Sequence, residues 1–111
     1  MEILKIGKDT MIRLIKEDSI MSKFRSVKIT LSKGTHRIIK REPLNGLEYN
    51  SEKDAMSVSR IYWSQFIEDN DNVWYYDDKG DYTDQWGTHT AYMVGMRSGY
   101  IYFFGAEEIL E

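Results

Sequence analysis

The residues best suited to chemistry lie in one acidic and aromatic segment, residues 68–86. Its nineteen residues include seven Asp or Glu, one Lys and five large aromatic residues. Carboxylates steer a cationic partner during encounter, and broad rigid rings supply contact area once the partner is bound. The segment is therefore predicted to be a protein-binding surface with these contact residues: Asp69, Asp71, Trp74, Tyr75, Asp77, Asp78, Asp81, Tyr82, Asp84 and Trp86.

The aromatic residues of this segment have a structural interpretation as well. Successive side chains of a strand point to opposite faces, so Trp74 and Tyr76 are expected on one face and Tyr75 on the other. At least part of this run is then expected to be core. Tyr82 lies next to Gly80, a predicted turn residue, and between acidic neighbours, so it is expected to be the most exposed ring.

Catalytic and metal-binding motifs are weakly represented. Cys is absent, which excludes disulfides, thiolate zinc sites and thiol nucleophiles. His36 and His89 are the only imidazoles, and neither has a metal-binding spacing around it. Neither a phosphate-binding glycine loop nor a G-x-S-x-G elbow occurs. We therefore expect a protein without catalytic residues, cofactor or metal, in which His89 is a partly buried hydrogen-bonding residue.

A loose cation site is the alternative for the acidic segment. The calcium-loop pattern fails from Asp69 onward, because Val73 and Trp74 stand where an oxygen ligand and a Gly are required. Carboxylates around a tight turn at Gly80 would be the remaining way to gather oxygen ligands. They are Asp77, Asp78, Asp81 and Asp84. Solvated turn acids are the commoner case.

Charge is divided unevenly along the chain. Residues 1–41 carry a net +7 and residues 42–111 a net −10, within a total of −3. Either the two halves neutralise each other as paired strands, or one half presents a charged binding face. The basic half would suit phosphate contacts, so nucleic-acid binding is a third function to consider. The acidic remainder would repel the same polyanion.

Length and hydropathy predict a single α+β domain over residues 1–111. The chain is 41% hydrophobic and 30% charged, which suits one packed core and no lipid span. The N-terminal residues lack the apolar stretch of a signal peptide, so a cytoplasmic protein is expected. The predicted architecture is a mainly antiparallel sheet, as a meander or a curled sheet, with one helix at about residues 52–67.

The helix is predicted from Ser51 as N-cap, with Asp54 three residues later and an apolar stripe beyond. That stripe comprises Ala55, Val58, Tyr62 and Phe66. Strands are predicted from period-two alternation and turn residues. The first predicted pair is residues 2–6 with 10–16, for which a helix from Thr10 is the alternative. The second pair is residues 26–32 with 35–42, closed by Pro43. The remaining pairs are residues 72–78 with 82–86, turning at Lys79 and Gly80, and residues 88–96 with 100–106. The last strand is apolar on both faces, which favours a central position.

These features together predict a non-catalytic inhibitor that blocks a basic site on a larger, nucleic-acid-handling protein. A surface that resembles phosphate electrostatically competes for the same Arg and Lys side chains. Phage anti-defence proteins, anti-CRISPR inhibitors among them, and toxin-immunity proteins form this class. The alternative is a small-ligand binder whose aromatic strands enclose a nucleotide, with polar contacts from Arg60, His89 or Arg97. A homodimer is compatible with either function, and no membrane partner is expected.

Overall fold

The computed structural model of the protein describes residues 22–110. They form five strands and one helix in the order β1 (Lys23–Leu31), β2 (Ile38–Pro43), α1 (Glu52–Asp69), β3 (Val73–Asp84), β4 (Gly87–Met96) and β5 (Ile101–Ile109). All pairs are antiparallel, and the strands lie side by side as β2-β1-β5-β4-β3. The predicted α+β class with one helix is confirmed. The strands predicted at residues 2–6 and 10–16 lie outside the described residues.

β5 is the central strand, as its two apolar faces predicted. It pairs with β1 along its whole length and with β4 from Ile101 to Phe104. Phe103 points to one face of the sheet and Phe104 to the other, and both are buried. The hairpin that joins β4 to β5 is also confirmed, since Gly99 turns the chain at φ 103°. The apolar strand therefore contributes to two core clusters, one on each face.

β1 and β2 form the predicted hairpin. Val27, Ile29 and Leu31 alternate along β1 and are all buried. Directly paired residues share a face of the sheet. Ile29 pairs with Arg41 of β2 and with Phe103 of β5, so these three side chains lie on one face. β2 ends at Pro43, which has no N–H to donate to a ladder.

α1 begins where the capping pattern predicted. Ser51 is the N-cap, and its hydroxyl accepts a hydrogen bond from the Asp54 amide at 3.1 Å. The helix continues to Asp69, two residues beyond the predicted end. It is too polar to cross a membrane, and residues 22–110 contain no helix that could do so.

The buried face of α1 differs from the predicted stripe. Ala55 and Ser59 are fully buried, whereas Tyr62 is 38% exposed. The position one turn beyond Ser59 is Trp63, which packs against the sheet and donates its indole N–H to the Met93 carbonyl at 2.9 Å. The prediction for Tyr62 is wrong because the side of α1 that meets the sheet passes through Ala55, Ser59 and Trp63, at four-residue spacing.

Two buried serines attach α1 to the sheet. The Ser26 hydroxyl on β1 donates to the Ala55 carbonyl at 2.7 Å. The Ser59 hydroxyl on α1 donates to the Gly105 carbonyl of β5 at 2.6 Å. Ser26 and Ser59 have no exposed surface, and within residues 22–110 each hydroxyl has this one hydrogen-bond partner.

Replacing Ser59 with Ala is expected to lower the free energy of unfolding by about 1–2 kcal/mol, since a buried hydrogen bond is lost without creating a large cavity. Urea denaturation of the full chain measures this. Ser57→Ala is the matched control, because Ser57 is exposed about half a turn away on the same helix and its hydroxyl donates to the Lys53 carbonyl. Equal losses in the two variants would contradict a special role for the buried hydroxyl.

The sheet is strongly curled, as one of the two predicted architectures required. Arg41 lies on the edge strand β2 and Asp84 at the end of the opposite edge strand β3, yet their side chains are 2.8 Å apart. In a flat sheet of five strands the two edges would be about 19 Å apart. The edges therefore approach each other over the face that is opposite α1.

Close packing of glycines allows this curl. A Cβ at Gly80 would lie 2.6 Å from the Met93 sulfur, and a Cβ at Gly105 would lie 3.0 Å from the Ala91 Cβ. These contacts let the outer half of the β3–β4 hairpin fold over β5. A core cluster is enclosed between them, formed by Val27, Ile29, Leu31, Tyr82, Ala91 and Phe103.

The turn predicted at Lys79 and Gly80 is wrong. β3 continues through both residues, and its ladder with β4 shifts register between Asp77 and Gly80. One additional residue on β3 makes this a bulge, which bends the strand without reversing it. The chain reverses later, at residues 85 and 86, where the Trp86 amide donates to the Asp84 carboxylate at 2.8 Å. Gly80 is thus required for packing rather than for a turn.

Candidate functional site

The first half of β3 presents the exposed aromatic residues. β3 is an edge strand of the described sheet, so the outer side of its backbone faces away from β4. Trp74 is 69% exposed, Tyr75 40% and Tyr76 58%. Asp77 and Asp78 follow directly and are exposed as well. We call this the β3 edge surface, and it comprises Asp69, Asp71, Trp74, Tyr75, Tyr76, Asp77, Asp78 and Asp81.

The expectation that part of the aromatic run is core is wrong, since none of the three rings is buried. The register of β3 shifts between Val73 and Tyr75, which leaves Trp74 as a bulged residue with its ring 5.6 Å from that of Tyr75. Tyr76 reaches only the edge of the helix, where its ring meets Trp63 at 5.9 Å. Tyr76 is not among the predicted contact residues, although it lies between two of them, Tyr75 and Asp77.

The carboxylates of the β3 edge surface concentrate negative potential near the end of α1. Asp69 is the last helical residue and Asp71 follows it, while the last turn of α1 contains no basic residue. Acids at a helix C-terminus face the negative end of the helix dipole, which is unfavourable for stability. Their placement therefore costs stability and strengthens the field that a cationic partner would meet.

Tyr82 does not belong to the exposed surface that was predicted for it. It is 6% exposed, and its ring lies 5.0 Å from Phe103 and 5.1 Å from His89. Burial raises the pKa of the Tyr82 hydroxyl to about 12. The curl of the β3–β4 hairpin turns this ring into the core, so the prediction that Tyr82 would be the most exposed ring is wrong.

Asp84 is likewise unavailable to a partner, because its side chain is 6% exposed. It accepts hydrogen bonds from Arg41 at 2.8 Å and from His89 at 2.9 Å. Burial alone would raise the pKa of Asp84, but the hydrogen bonds from Arg41, His89 and the Trp86 amide outweigh it and lower the pKa to about 2. His89 is thus the half-buried hydrogen-bonding residue that was expected.

Arg41 is the centre of a polar network on the face opposite α1. It contacts Glu107 of β5 at 3.3 Å as well as Asp84, and Glu107 also pairs with Arg25 at 2.7 Å. Its guanidinium lies 5.4 Å from the ring centroid of Trp86. Basic residues of the N-terminal half thus neutralise acids of the C-terminal half here. Trp86 is 61% exposed but stands in this network, apart from the β3 edge surface.

The residues predicted for a small-ligand pocket do not come together. Arg60 is on the exposed side of α1, and His89 is held by Asp84. Arg97 follows the far end of β4, about 26 Å along the strand from His89. Arg97 lines a cavity that it shares with Trp74.

The alternative cation site also lacks its geometry. Its four carboxylates were expected around a turn at Gly80, but they are spread along an extended strand. Asp84 is already paired, and Asp81 accepts a hydrogen bond from Thr90 at 2.7 Å. Within residues 22–110 no group of three or more candidate metal ligands occurs.

The fold and the site together define a curled α+β domain with an acidic and aromatic edge. No family model, curated protein or solved structure matches this chain. Its function is therefore inferred from the geometry and charge of the surface alone.

Proposed function

We propose that this protein is a non-catalytic inhibitor that covers a basic site on a larger protein with its β3 edge surface. The observation that carries this proposal is the exposure of Trp74 and Tyr76 beside Asp77 and Asp78. Large rings exposed together on an edge strand are a liability for a protein that binds nothing through them. Rings of this kind dominate the binding energy of protein interfaces.

Charge identifies the kind of partner. The β3 edge surface contains five Asp, and Lys79 is the one cation between its residues 69 and 81. Arg and Lys side chains on the partner would pair with the carboxylates, and guanidinium groups would stack on the rings. Proteins that handle nucleic acid present such cations to phosphate. An acidic surface competes for them without any chemical step.

The backbone of β3 is protected against pairing with another sheet. Bulges interrupt its ladder at Trp74 and between Asp77 and Gly80, and charged side chains lie along the same stretch. Bulges and charges are the usual means by which proteins prevent edge-to-edge association. The proposed contact is therefore made by side chains rather than by addition of a strand.

The double variant Asp78→Lys with Asp81→Lys is expected to weaken partner binding by at least about tenfold and to remove most of its salt dependence. The partner is first captured with the tagged full chain from nuclease-treated host lysate, and its affinity for each variant is then measured by calorimetry. A stoichiometric partner with a basic surface is the expected result.

Glu48→Lys with Glu52→Lys is the control, because it makes the same change in charge at two exposed positions before and at the start of α1. Circular dichroism would show that both variants are folded. Equal weakening by the two pairs would indicate a general charge effect. Unchanged affinity of the Asp78 and Asp81 variant would contradict the proposed surface.

A further inference from the structure

A cleft lies at the end of the sheet where β3 begins and where the β1–β2 and β4–β5 turns meet. Its volume is about 320 Å³. Trp74, Tyr75 and Tyr100 supply aromatic walls, and His36 from the β1–β2 turn lies at the rim. Glycines supply much of the remaining lining: Gly34, Gly95 and Gly99. Met96 and Ile101 also line it, so the cleft combines broad rings with aliphatic and backbone surface.

The local structure requires glycine at these three positions of the lining. The Tyr75 ring lies so close to Gly95 that a Cβ at this position would overlap it. Gly34 and Gly99 turn the chain at φ 73° and 103°, a region that other residues rarely adopt. The rings of Trp74 and Tyr75 stand at 79° to each other. A planar group entering the cleft can therefore stack on one ring and meet the edge of the other.

Two cations lie near aromatic residues that line the cleft, in contrast to the acidic half of β3. The Lys33 ammonium lies 5.4 Å from the centroid of the Tyr100 ring. Among residues 22–110, Arg97 and Trp74 line a second cavity, of about 180 Å³. The Arg97 amide donates to the Asn72 carbonyl at 2.8 Å, which fixes the start of the β4–β5 turn beside the start of β3. Lys33 and Arg97 are thus each associated with an aromatic residue of the cleft, Tyr100 and Trp74 respectively.

We propose that this cleft binds a nucleobase with an attached phosphate. The base would stack on Trp74 or Tyr75, which every base can do through its π face. The phosphate would be held by Arg97 or Lys33, whose charges suit an anion. A volume of about 320 Å³ is at the small end of ligand sites, which matches one nucleotide unit rather than a dinucleotide. This activity goes beyond the proposed inhibition, with which it shares Trp74 and Tyr75.

The test is an NMR titration of the ¹⁵N-labelled full chain with AMP, GMP, CMP and UMP, and separately with a short oligo-dT strand. Saturable shifts at Gly95, Gly99 and the Trp74 indole are expected. Arg97→Glu with Lys33→Glu should weaken binding by at least about tenfold, because the phosphate contact becomes repulsive. Arg60→Glu on the exposed side of α1 is the control and should leave the affinity unchanged.

Binding of the mononucleotides would assign the site to free nucleotides, and binding of oligo-dT alone would assign it to single strands; both support the shared chemistry. The absence of saturable shifts with every probe at millimolar concentration would overturn the proposal. So would equal affinity of the Arg97 and Lys33 variant. Asp78→Lys with Asp81→Lys distinguishes the two proposals, since it should weaken partner binding by at least about tenfold while nucleotide binding is retained.

Discussion

Replacing Phe104 with Ala is expected to lower the free energy of unfolding by about 3–5 kcal/mol, as large-to-small changes of a buried ring do. Phe104 is 2% exposed on the central strand β5, and its ring lies 5.5 Å from Phe66 of α1. It shares a core cluster with Val94 and Met96. The cavity would open where the helix meets the sheet, so the two cannot simply close around it.

Urea denaturation at neutral pH measures this loss. Tyr76→Ala serves as the control, because it removes an aromatic ring of similar size that is 58% exposed. It should cost much less, since an exposed ring leaves no cavity. A cost for Phe104→Ala no greater than that for Tyr76→Ala would contradict the position of Phe104 in the core. Phe104→Leu should recover part of the loss.

Replacing Arg41 with Ala is expected to lower the free energy of unfolding by about 2–3 kcal/mol. Breaking a buried ion pair by removal of one partner is strongly destabilising, because the other charge stays buried without compensation. In the variant, Asp84 would be the charge left without its partner, and its side chain is 6% exposed. Because the Arg41 side chain is 31% exposed, the loss of stability should be smaller than for a fully buried pair. Arg37→Ala, at an exposed position just before β2, is the control.

The same network predicts a dependence of stability on pH. The pKa of Asp84 is about 2 in the folded protein, below its ordinary value of 3.8. Its ionised form therefore stabilises the fold fully above the ordinary value, and this contribution is lost as the pH falls from 3.8 toward about 2. Its size is on the order of 1–2 kcal/mol, after allowance for the partly exposed Arg41.

Arg41→Ala should reduce this acid-sensitive step. Urea unfolding of the variant and of the natural chain at a series of pH values between neutral and 2 would show it. The two curves should converge toward low pH, because protonation of Asp84 removes from the natural chain the same ion pair that the variant lacks. Parallel curves would contradict a role for the Arg41–Asp84 pair in closing the sheet.

The Arg41–Asp84 ion pair and the proposed binding surface lie at different ends of β3. The end near Asp84 is closed by Arg41 and packs against the core through Tyr82. The end near Trp74 presents exposed rings and acids. Changes at Asp78 and Asp81 are therefore expected to alter recognition without unfolding the protein, whereas changes at Arg41 act on the fold.

The sequence alone determined the elements whose signals are local. Alternation predicted β1, the N-cap at Ser51 predicted the start of α1, and Gly99 predicted the last hairpin. Each of these signals depends on residues that are close together in the sequence. The two apolar faces of β5 also predicted its central position correctly. Trp74 and the acids beside it are exposed, and their role in binding stays a prediction.

Only the tertiary structure decided which members of the acidic and aromatic segment are accessible. Gly80 looks like a turn residue, but it is needed where β3 passes close to Met93 and Phe103. Tyr82 and Asp84 enter the core because the sheet curls, and the curl brings Asp84 to Arg41 across 43 residues of sequence. Burial depends on which strands become neighbours. That pairing is a property of the whole sheet, which no local pattern in the segment records.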